Sequence, residues 1–177
     1  MRPIQNLFSP ARRYARDRKG AAAVEFALVL TLLIVPILNV MDFGLYAWDR
    51  IQVDNAAQIG AQAGRAACTY SFQPATINCP TLSTAVQTAV QSTSLGTRVT
   101  STTAEHYVCY VGGLKVVADP PATPPTDCSS SGGSNTEKPG DYILVTTSYT
   151  YAPIFSAVSI ASVLSTPITS IAWIRIG

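Results

Sequence analysis

The chain has little histidine and little charge. Among its 177 residues there is a single histidine, His106, and only 12% of the residues are charged. It has no G-x-S-x-G elbow, no H-E-x-x-H pair, no Walker loop and no G-x-G-x-x-G opening a helix after a strand. Without such spacings no set of nucleophile, base and orienting group emerges, so no catalytic residue, cofactor or small-molecule substrate is assigned. The four cysteines contain no C-x-x-C. With His106 as the sole imidazole, a zinc centre is the weaker reading of them, and no metal site is assigned. His106 falls in a predicted strand and reads as a packing or surface residue rather than a base.

What charge exists is placed unevenly. In residues 1–20, Arg2, Arg12, Arg13, Arg16, Arg18 and Lys19 face Asp17 alone, a balance of +5. The remaining chain has six basic and nine acidic side chains, a balance of −3. A net acidic distal part argues against nucleic acid as a partner, and the basic block has another explanation. It precedes an uncharged run broken only by Glu25, AAAVEFALVLTLLIVPILNV from Ala21 to Val40. As a helix this run is about 30 Å long, the thickness of a bilayer's hydrocarbon core. Cations on one flank keep that flank cytoplasmic, so the expected topology is N-terminus inside, with the rest of the chain across the membrane. A cleaved secretory signal fits less well, because the run continues through MDFGLYAWDRIQV without a clear break. A buried core helix would need no basic block.

Glu25 is the anomaly in that run. An acidic side chain at the centre of a membrane helix costs about 2.5–3.5 kcal/mol on insertion scales, so it calls for a partner or for a shallow position near the interface. A cut after Gly20 would supply the partner. Ala21 would then carry an α-amino group with an ordinary pKa of about 7.7–8.0, mostly protonated. Residues 21 and 25 stand i, i+4 on one helix face, so Glu25 could pair with its own terminus or, after an axial slide, with that of a neighbouring subunit.

The order basic block, Gly20, four small or apolar residues, Glu25-Phe26 and apolar run resembles the class III leader of type IV prepilins. GAAAVEFAL is similar to the TadE-like pseudopilins of the tight-adherence, Flp or type IVc, pilus system. DFGLYAWDRIQVDNAAQIGAQAGRAA resembles that family's continuation, and the resemblance covers residues 15–67 by motif. It implies cleavage between Gly20 and Ala21 by a prepilin peptidase and a role for Glu25 in subunit packing. Phe26, where major Flp pilins usually have tyrosine, and the large distal region point to a minor pseudopilin. The implied partners are the bacterial inner membrane, the peptidase, sister pseudopilins and the pilus assembly platform. The implied role is pilus initiation or capping and surface adherence. TadE and TadF types are not separated. The rival from another class is a single-pass anchored periplasmic binding domain or enzyme unrelated to pili.

The expected fold class is α+β: a basic leader at 1–20, a long helix at 21–66 that is membrane-spanning to about residue 45, and a small periplasmic domain at 67–177. Pro36 is a candidate kink. Gly60 and Gly64 form a GxxxG spacing among alanines, which favours close packing, preferentially within the molecule. Thr81 to Leu95 reads as a short amphipathic helix between Pro80 and Gly96. HYVCYVGGLKVV reads as a hairpin with a two-residue turn at Gly112-Gly113, and Asp141 to Tyr151 as a strand. Residues 119–140 form a Pro/Ser/Gly-rich loop, expected to be a mobile surface excursion. The final run reads as a short helix before Pro167 and a buried strand, Ile168 to Ile176, in preference to a second membrane crossing over 154–176. The four cysteines lie on the side expected to be oxidising. Of their three possible pairings the short closures, Cys68–Cys79 and Cys109–Cys128, are preferred.

Overall fold

The computed structural model describes residues 18–68, 72–118, 124–164 and 166–176. Helix α1, Arg18–Ala67, runs 50 residues with Pro36 inside it, a rod of about 75 Å. Every residue from Gly20 to Ile37 is exposed. Among the described residues α1 is the one helix long and apolar enough to cross a membrane. Polar side chains in this half bond to their own helix, Thr31 Oγ1 donating to Ala27 O at 2.8 Å, which suits a solvent that offers no partners.

Past Asp42 the helix changes character. Asp42, Tyr46, Val53, Ala56, Ala57, Gly60, Ala61, Gly64 and Cys68 are buried, a three-to-four spacing that marks one face. That face lies on a four-stranded antiparallel sheet in the order β2-β1-β3-β4, with β1 Val99–Tyr110, β2 Leu114–Ala118, β3 Gly140–Tyr149 and β4 Ile168–Arg175. A single helical turn, α2 (Ala75–Asn78), and helix α3 (Leu82–Gln91) complete the layer. Val86 and Val90 of α3, Val99 of β1, Ile143 and Val145 of β3 and Ile168 of β4 form the core with Val53, Ala56 and Ala61. The fold class is the one expected, a small α+β domain on a long apolar helix, braced by two disulfides.

The glycine pair explains how α1 sits so deep. A Cβ on Gly60 would lie 2.7 Å from Val90 Cγ2 and 3.2 Å from Val145 Cγ1, and one on Gly64 would lie 3.2 Å from Val86 Cγ2. The GxxxG spacing therefore seats α1 on α3 and the sheet of its own domain. Buried Thr147 Oγ1 donates to Val53 O at 3.1 Å, a direct bond from sheet to helix backbone.

Several expectations need correction. Tyr110 pairs with Leu114, so the hairpin turn is the three residues Val111-Gly112-Gly113 and not two; φ is +62° and +128° at the glycines, which only glycine adopts readily. The same strand starts seven residues earlier than its apolar stretch, at Val99, because its β-branched first half alternates over a half-covered face. Among its described residues the stretch 154–176 has no spanning helix: a turn and a 3-10 segment, Ile160–Val163, lead into β4, as the helix-then-strand reading expected, but β4 is an edge strand with only Ile168 buried rather than a buried strand. Disulfides join Cys68 to Cys79 and Cys109 to Cys128, with Cα separations of 6.0 and 5.8 Å. The second ties the loop after β2 to the sheet, with Cys128 buried and its N–H donating to Glu137 O at 3.0 Å, so the described part of that loop is anchored rather than a free excursion. Within it, residues 119–123 lie outside the described residues, as does most of the leader, residues 1–17.

Candidate functional site

The residues singled out for processing lie at the exposed start of α1. Gly20 and Ala21 are both helical and exposed, and a Cβ at Gly20 would meet nothing within 4 Å. Glu25 is exposed one turn on, and Phe26 beside it presents most of its ring outward. Among the described residues, then, no other element covers the stretch that carries the acid. Its exposure comes from composition: the α1 side chains from Ala21 onward are apolar on all sides, and the domain packs only against the helix's second half.

A second constellation sits where the apolar run ends. Asp42 is fully buried, its Oδ1 accepting from Ile154 N at 3.1 Å and its Oδ2 from Phe155 N at 3.2 Å. Tyr151 Oη donates to Asp42 O at 2.8 Å, and the Tyr151 ring meets Tyr46 edge-on at 5.3 Å. One turn earlier, Asn39 Nδ2 donates to Val158 O at 3.1 Å and Oδ1 accepts from Ile160 N at 2.6 Å. Two polar side chains of α1 thus clamp residues 154–160 by their backbone. Sequence reasoning passed over both. The signal was available, since a polar side chain in or beside an apolar run demands a partner as Glu25 does, and these two are satisfied inside the chain.

A third group is buried under the sheet's inner face. Register sets Glu105 opposite Ile143 and Tyr107 opposite Asp141, which makes the two acids diagonal neighbours on one face. Glu105 receives Ala75 N at 2.9 Å, Thr76 N at 2.8 Å, Thr76 Oγ1 at 2.7 Å and Tyr107 Oη at 3.3 Å. Four donors compensate its burial and hold the α2 turn against β1. Asp141 accepts from Gln73 Nε2 at 2.7 Å. Burial, then the neighbouring charge of Glu105 and a hydrogen bond to it, push the Asp141 carboxyl up to about 7, against the pull of Gln73. This pair is structural: Asp141 and Glu105 are at most 1% exposed.

Elsewhere the chemistry is sparse. Among the described residues no three His, Cys, Asp or Glu side chains come together to hold a metal ion. His106 is half-buried on the sheet's outer face and stacks on Trp173, ring centroids 5.6 Å apart. Next to it Val108, Leu114, Tyr142 and Trp173 line a shallow apolar cleft of about 360 Å³.

The stretch of α1 that bears Gly20, Glu25, Asn39, Asp42 and Gly60 is similar to a known family. Residues 20–62 match the family model described as TadE-like protein. The TadE-like segment begins at the glycine of the expected cut and takes in the exposed half of α1, the clamp and the first glycine of the close contact. It stops short of both disulfides and of the sheet. No curated protein and no solved structure matches the chain.

Proposed function

We propose that this chain is a minor pilin, a pseudopilin of a Tad or Flp-type pilus assembly and secretion system. In this reading the basic leader, residues 1–20, stays cytoplasmic, α1 crosses the inner membrane to about residue 45, and the sheet domain folds in the periplasm. A prepilin peptidase cuts between Gly20 and Ala21. The freed α-amino group meets Glu25, in the same chain or a neighbour, and sets the register in which sister pseudopilins pack. The domain then contributes to pilus initiation or capping and to adherence. The protein carries out no reaction of its own.

One observation carries the reading: the TadE-like match starts at Gly20 and coincides with a helix whose first half none of the described residues covers. A helix apolar on every side is made for lipid or for a bundle of like helices, and an acid within it is costly unless paired. Both conditions are met by a subunit that waits in the membrane and then assembles. Intact mass of the membrane-purified protein tests the processing step. With the peptidase present the expected species begins at Ala21; without it Met1 to Gly20 remains. An uncut chain in peptidase-positive cells would instead favour a plain anchored periplasmic domain.

A further inference from the structure

We infer that residues 153–164 form a second membrane contact, an apolar wedge that rests in the outer interface of the bilayer crossed by α1. The inference rests on the reading of α1 as an anchor. It begins with height along the helix. If hydrocarbon starts at Ala21, a core of about 30 Å ends at Val40, and any later start moves the exit further along. Asn39 and Asp42, which hold the wedge, therefore lie at the exit itself. The first charged side chain beyond Asp42 is Asp49, about 10 Å further up the rod, with exposed Trp48 beside it, an aromatic suited to the interface. The clamped segment thus sits on the lipid side of the level at which α1 first shows charge to water.

Composition and satisfaction agree with that depth. No charged residue occurs between Asp141 and Arg175. Ile154, Ile160 and Val163 are 67%, 65% and 85% exposed and Val158 is 44% exposed, while Met41 and Phe43, which flank the clamping Asp42 on α1, are exposed too. In water this would be a costly surface for a small domain. Much of its backbone, by contrast, is provided for. Pro153 has no N–H. The amides of Ile154 and Phe155 go to Asp42, that of Ile160 to Asn39, those of Val158 and Ser159 to Phe155 O, that of Ala161 to Ser159 Oγ and that of Leu164 to Ala161 O. Mostly apolar side chains outside and seven amides closed inside suit an irregular segment to the interface, where the remaining polar groups, Ser156 among them, still reach headgroups and water. Continuity with the lipid-facing surface of α1 identifies the occupant as the bilayer itself. A neighbouring subunit is the competing cover.

Depth-dependent quenching decides. Single cysteines introduced by Leu32→Cys, Ile160→Cys, Val163→Cys and Thr136→Cys, all at exposed positions, are labelled with an environment-sensitive dye in the full chain after its native disulfides have closed. The proteins are placed in phosphatidylcholine–phosphatidylglycerol vesicles with or without doxyl-labelled lipid. Quenching by about twofold is expected at 160 and 163 as at 32, from a wedge about 5–10 Å into the interface, with none at 136. Quenching at 32 but not at 160 or 163 overturns the wedge and leaves the anchor standing. No quenching at 32 removes the anchor and the wedge together. Protection at 160 and 163 that ignores doxyl lipid and rises with protein-to-lipid ratio also overturns the wedge, in favour of a neighbouring chain.

Discussion

Gly60 sits where α1, α3 and β3 converge, with no room for one more carbon. Val90 Cγ2 would lie 2.7 Å from an added Cβ, and a buried β-branched side chain has little freedom to turn away. Gly60→Ala gains helix propensity, at most about 1 kcal/mol, yet the overpacking costs about 1–3 kcal/mol, so a net loss is expected in thermal melts of the detergent-solubilised chain. Gly44→Ala, where nothing lies within 4 Å, should leave stability unchanged or raise it. Asp141 yields a different test. Its folded-state pKa is raised from 3.8 to about 7, so the folded protein holds a proton that the unfolded chain has released. The corresponding stability is present below about pH 4 and is lost as the pH rises through 7. Asp141→Asn mimics the protonated acid, since its amide can donate to Glu105 while its oxygen still accepts from Gln73. Chemical denaturation from pH 4 to 8 should show the wild type losing stability relative to this variant, with the variant the more stable at pH 8. Neither feature could be read from the residues alone. Glu105 and Asp141 are far apart in the chain and meet only through strand register, whereas the GxxxG spacing was visible and its partner was not.

Among the elements, the segment from Tyr151 to Leu164 depends most on a single side chain. Asp42 receives two of its amides and is itself wholly buried. Asp42→Ala leaves those donors unpaired at a cost of about 1–3 kcal/mol, which should appear as faster hydrogen exchange at Ile154 and Phe155 while β3 stays protected. Composition was enough to read α1, α3 and the two apolar strands, since each carries its period or its β-branched residues in one unbroken stretch. It was not enough for the first half of β1, where VTSTTAE is polar and its place comes from pairing with β3. The hairpin turn was located but counted one residue short, because the main-chain register, and not the glycines, decides where pairing stops.

At the scale of the molecule, the exposed and the packed halves of α1 divide the labour. The charge at Glu25 belongs to the exposed half, far from the core, so Glu25→Ala should leave the melting temperature of the domain and cleavage after Gly20 unchanged. If the chain acts as the proposed pseudopilin, assembly should fail, seen as loss of surface pili by electron microscopy; normal piliation would remove the pairing role. This half was legible because lipid imposes simple rules of length and charge. The domain's topology was not, since a four-strand order that puts β1 beside β3 depends on tertiary packing and not on local pattern.

The 50-residue helix has no hinge loop between its exposed half and its core half, so in the proposed pilin the membrane end and the head form one piece. A tug on the membrane end is therefore delivered as shear straight onto the seam at Gly60 and Gly64. Such a subunit behaves as a nail driven through its own head: hauled from the bilayer, it has no slack to pay out, and the head must travel with the shaft or come apart along that seam.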